Sequence, residues 1–134
     1  MIRNYENPEG TIALINSTTV NVPVKVFTSS TTGGPIAGGV TGRINAVTTI
    51  ALCNTATPDT ADETVRAVPV NIYIVRSGTS YGAGNLVVSN LMVPAGETVF
   101  FSEERIVLDA GDEIWVGTTT ATPYLSVTVS ALAV

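Results

Sequence analysis

Between Glu103 and Glu113 the chain holds five carboxylates: Glu103, Glu104, Asp109, Asp112 and Glu113. Two carboxyl groups flanking a glycosidic bond can act as acid and base, or as acid and nucleophile. Several converging with backbone carbonyls can hold a calcium ion. Asp59, Asp62 and Glu63 raise the same two possibilities on a smaller scale. Local sequence favours a plainer role. Asp109 and Asp112 bracket Ala110-Gly111, and Asp is a turn residue that accepts hydrogen bonds from nearby backbone. Glu103-Glu104 reads as a solvated bend. No metal is expected, with a weak calcium site near Asp109, Asp112 and Glu113 left open.

Other routes to chemistry are closed. The chain contains no histidine, so Ser-His-Asp and Cys-His catalysis and the commonest zinc ligand are absent. No glycine pattern follows a strand and opens a helix, as a phosphate-binding loop would; Gly33-Gly34 and Gly38-Gly39 read as loop glycines. Cys53 is the only cysteine, so no intrachain disulfide forms. It lies in an apolar run with no basic neighbour to activate it, and reads as a small buried hydrophobe. The expectation is a chain that is no enzyme, with no catalytic residues and no cofactor.

The aromatics Tyr73, Tyr81, Phe100, Phe101, Trp115 and Tyr124 could line a sugar-binding face. Their scatter through the sequence counts against it, and Trp115 and Phe101 are expected in the core. Tyr81 differs, because it stands in the glycine loop Ser80-Tyr81-Gly82-Ala83-Gly84. An aromatic there is a candidate contact residue.

The elements that must position these groups are strands. Val20, Val22, Val24 and Val26 alternate with Asn21, Pro23, Lys25 and Phe27, which is period two. Pro23 cannot donate to a ladder and Lys25 discourages pairing, so this strand belongs at a sheet edge. Val20, Val22, Lys25 and Phe27, with Tyr81, are the candidate interface residues. Thr11–Ile15 precedes this strand, and Asn16-Ser17-Thr18 predicts a hairpin between the two. Residues 28–42 carry five glycines and a proline, a loop or hinge.

Further strands are expected at 47–53, 68–75, 86–93, 97–101, 106–108, 113–116 and 124–134. Turn signals separate them, among them Pro94-Ala95-Gly96 and Asp109-Ala110-Gly111-Asp112. No helical periodicity and no repeat of 20–50 residues is evident. The fold class is all-β: a two-sheet antiparallel sandwich of eight or nine strands, immunoglobulin-like or jelly-roll. Residues 1–42 form an N-terminal arm or hairpin with the glycine loop and 43–134 the body, in one compact domain overall.

Composition narrows the partners. Only 13% of the 134 residues are charged, about half the usual ~25%. Threonine, glycine and serine stand in their place, and hydroxyls cost less to desolvate than ions. Such a surface suits burial against protein. The net charge is −5 and Lys25 is the sole lysine, so no basic patch exists for nucleic acid or an anionic membrane. No apolar stretch approaches the ~20 residues of a membrane span. The first residues, Met1 to Pro8, contain no apolar leader, so synthesis in the cytoplasm is expected.

Three segments carry a resemblance. They are Thr48-Thr49-Ile50-Ala51-Leu52-Cys53-Asn54-Thr55; Val70-Asn71-Ile72-Tyr73-Ile74-Val75-Arg76-Ser77-Gly78; and Val93-Pro94-Ala95-Gly96-Glu97-Thr98 with Ile106 to Ile114 and the Val-Thr-Val-Ser ending. In this order they resemble small β-sandwich virion proteins of tailed bacteriophages. The resemblance covers about two-thirds of the chain, from Val47 to Val134. It implies a non-enzymatic virion component: a capsid decoration or cement protein on the capsid exterior, or a tail or baseplate module. It implies the major capsid protein or another virion protein as partner, and self-association as a homotrimer. It supplies no catalytic residues. The roughly 45 residues in front depart from the pattern and leave the role of the arm open. A module for host glycans, built around Tyr81, is the alternative from another functional class.

Overall fold

The structure, a computed structural model, describes residues 12–17, 22–29, 45–62, 65–102, 106–119 and 122–133. Val20, residues 30–44 of the glycine loop, Glu63 and Glu103-Glu104 lie outside the described residues.

Alternating Val, Ile and Thr favour a pleated, half-buried surface, and the described residues form nine strands. They are β1 (Ile12–Ser17), β2 (Val24–Thr28), β3 (Asn45–Asn54), β4 (Val68–Val75), β5 (Leu86–Val93), β6 (Thr98–Phe101), β7 (Ile106–Leu108), β8 (Glu113–Thr118) and β9 (Thr122–Ala133). A 3-10 turn, Ala83–Asn85, precedes β5. One sheet has the order β1-β9-β3-β6, with β7 also on β3; the other runs β2-β8-β4-β5. β6 pairs with Ile50–Cys53 and β7 with Asn45–Val47, so the two share one edge of β3 as an interrupted strand.

All pairings are antiparallel. β1 lies on β9, β2 on β8, β3 on β6 and β7, and β4 on β5. The first four strands thus run out as a ribbon and the later ones return along it. Contacts β9 to β3 and β8 to β4 close the ribbon into two sheets. This is the jelly-roll form of the β-sandwich.

β1 and β2 therefore do not form a hairpin. They stand in different sheets and pair with strands from the far end of the chain. Alternation says which face of a strand is apolar but carries no information about its neighbour. β2 does occupy a sheet edge, as Pro23 and Lys25 suggest. Its alternation breaks, however. A register shift between Lys25 and Phe27 inserts one extra residue, and Val26 and Phe27 are both buried.

The core lies between the sheets. Ile50, Leu52, Leu125 and Val127 from one sheet meet Phe27, Val70, Ile72 and Ile114 from the other, all fully or almost fully buried. Three turns place glycine at a positive φ: Gly78, Gly96 and Gly111. Each turn closes with an N–H to O=C bond across it, from Thr79 to Arg76, Glu97 to Pro94 and Asp112 to Asp109. The second central position of a type II turn needs that backbone, which a side chain resists. On β5, Asn90 adopts φ 52 at a register shift, and its N–H donates to Asn71 Oδ1 at 2.8 Å.

Candidate functional site

The outer face of the four-stranded sheet joins residues that are far apart in sequence. In β8, Ile114 and Val116 point into the core, so Glu113 and Trp115 between them face out. Register places Lys25 and Tyr73 on either side of Trp115. Tyr81 reaches this row from its glycine loop. Its ring centroid lies 5.3 Å from Trp115, with the planes at 41°, and 5.8 Å from Tyr73, with the planes at 59°. Both are favourable tilted aromatic contacts. Trp115 Nε1 donates to Glu113 Oε1 at 3.3 Å, while Lys25 Nζ stands 3.1 Å from Glu113 Oε2. The carboxylate thus links the ammonium to the indole, and the ammonium, carboxylate and three rings form one patch.

Tyr81 is 41% exposed. An amphipathic aromatic held by two others on a rigid sheet loses little entropy when it binds. Of the other candidate interface residues, Lys25 joins the patch and Val22 is exposed just before β2. Phe27 does not belong to the interface. It is 1% exposed, because the β2 bulge turns it into the core. Trp115 moves the other way: it lies on the outer face rather than in the core, while Phe101 packs against the core.

No protein-family model matches this chain, and no curated protein or solved structure matches it.

Two of the candidate carboxylates, Asp112 and Asp59, serve the backbone. Asp112 is buried. Its Oδ1 accepts the Ser77 N–H at 2.9 Å and its Oδ2 the Asp109 N–H at 3.1 Å. Its carbonyl accepts from Ser29 N–H, and the Ser29 carbonyl accepts from Gly111 N–H, both at 2.8 Å. Asp112 therefore ties the ends of β2 and β4 to the turn before β8. Asp59 Oδ1 accepts from the Ala61 and Asp62 amides, at 2.8 and 3.2 Å. Among the described residues no three His, Cys, Asp or Glu side chains are grouped to hold a metal ion.

At the other end of the sandwich Asn54 is the corresponding polar tie. Fully buried, it donates through Nδ2 to the Arg66 and Val93 carbonyls, at 2.8 and 3.0 Å. Its Oδ1 accepts the Ala56 N–H at 3.1 Å. Arg66 itself holds φ 63, a left-handed backbone uncommon for such a residue. The local signal for Asn54 was an amide continuing the inward alternation of Ile50 and Leu52.

The five-stranded sheet presents a different outer face. Val47, Ile50, Leu52, Val127 and Val129 point inward and are buried, which leaves Ala51, Cys53, Ser126 and Thr128 outward. Cys53 is half-buried on this face, between Ser126 and Thr98, and so is not a core residue. None of the five strands contains a charged residue. Phe100, paired with Ala51, and Val107, paired with Ala46, are 65% and 62% exposed.

Proposed function

We propose that this chain is a non-enzymatic virion structural protein that decorates a capsid lattice and stabilises it, as a homo-oligomer for which a homotrimer is the expected form. The observation that carries the reading is the patch in which Tyr81, Trp115 and Tyr73 stand beside the Lys25–Glu113 pair. An exposed Tyr backed by a half-buried Trp on a rigid support is of the residue types that dominate protein contacts, while Asp59 and Asp112 spend their carboxylates on backbone amides. By analogy of fold, the jelly roll is used for capsid and lectin domains.

Pelleting with emptied capsids of the phage that encodes the chain tests the reading. Wild-type protein is expected to bind saturably and raise the temperature at which the capsids rupture. Tyr81→Ala is expected to weaken binding about tenfold or more, the loss of one aromatic anchor, without changing the circular dichroism spectrum. Folded wild-type protein that does not pellet with capsids would overturn the proposal.

The convergence of three rings also favours a second reading, a host-glycan platform, since stacked aromatics suit the apolar face of a sugar. Trp115 is the only tryptophan, so its fluorescence reports on this patch alone. A saturable change on adding host-surface glycans, without capsid binding, would select that reading.

A further inference from the structure

We infer that the outer face of the five-stranded sheet is where a second copy of this chain packs. The inference extends the assembly role to the opposite side of the molecule and rests on different residues.

Charge comes first. The chain carries −5, so two copies repel unless their contact keeps the charges apart. Among the described strands the only charged residues are Lys25 and Glu113, both on the four-stranded sheet. Among the described residues the strands of the five-stranded sheet offer a face on which two copies can meet without burying a strand-borne ion, and burying an unpaired ion is costly.

Shape points the same way. Ala51, Ser126 and Thr128 make a flat of small side chains beside Phe100, whose ring projects into solvent. Knob and flat on one face are complementary to each other, so one copy can seat its Phe100 on the small residues of the next. Ala, Ser and Thr lose little rotamer entropy when covered. A large exposed aromatic supplies the anchor.

Area is sufficient. Four strands ~4.8 Å apart, each offering about eight residues at ~3.3 Å, give roughly 500 Å² per copy. Two copies bury about 1,000 Å², the size at which specific contacts separate from incidental ones.

Sedimentation velocity across a concentration series tests the inference on the full chain. Wild type is expected to self-associate. Phe100→Glu is expected to be monomeric over the same range, with an unchanged circular dichroism spectrum and thermal midpoint. Thr128→Asp on β9 provides a second variant with the same expectation. A wild type that stays monomeric at the highest soluble concentration would sink the inference, and so would an oligomer that survives both substitutions. Failure of this inference is separable from failure of capsid binding, because Tyr81→Ala is expected to self-associate like wild type.

Discussion

Buried polar side chains are where single residues carry the most structural weight in this molecule. Asn54 satisfies three backbone groups from three segments and is fully enclosed. Removing it leaves the Val93 carbonyl and the Ala56 amide without partners in the interior, while the Arg66 carbonyl lies nearer the surface. Asn54→Ala is therefore expected to destabilise the fold by about 2–4 kcal/mol, more than its lost contacts alone, because each buried unsatisfied group costs about 1–3 kcal/mol. Urea unfolding measures this, and a loss under ~1 kcal/mol would show that the cavity rehydrates. Asp112 plays the same part at the opposite end with both carboxylate oxygens. Two glycines are fixed by close approach. A Cβ at Gly117 would stand 3.2 Å from Pro23 Cγ, and one at Gly96 would stand 2.6 Å from Pro58 Cγ. These contacts let the segment entering β2 and the loop before β4 lie against the sandwich.

At the scale of elements, β2 is the instructive strand. Its sequence reads as an exposed edge, and an edge it is. Yet its bulge commits both Val26 and Phe27 to the core. β1 in turn hydrogen-bonds along β9. Deleting residues 1–29 removes both strands, exposes the free edges of β8 and β9 and empties the Phe27 site, where loss of the side chain alone costs about 3–5 kcal/mol. The truncated chain is expected not to fold cooperatively. A sharp thermal transition in calorimetry would mean that the segment is instead a detachable arm. The other edge of the five-stranded sheet is broken between β6 and β7, an interruption that limits strand addition there.

The whole molecule is polarised. One outer face carries an ion pair and three aromatic rings, and the other carries no charge in any strand. A contact through the neutral face gains from apolar burial, with no attraction between charges to screen. Raising ionic strength from about 10 mM to about 1 M shortens the Debye length from ~30 to ~3 Å and is expected not to weaken self-association. Weakening by more than about threefold in sedimentation equilibrium would place charged groups in the contact.

Local chemistry in the sequence determined the all-β class, most strand positions, the turns at Gly96 and Gly111, the edge character of β2 and the prominence of Tyr81 and Lys25. These follow from periodicity, φ restrictions and side-chain type, which a chain carries with it before it folds. Only tertiary structure decided that β1 pairs with β9 and not with β2, that Phe27 is buried and Trp115 outward, and that Tyr81, Tyr73, Trp115, Glu113 and Lys25 share one patch. Pairing joins residues up to a hundred positions apart or more, and a bulge reverses every side chain beyond it. No local pattern records either, because both are settled by which faces the closing ribbon brings together.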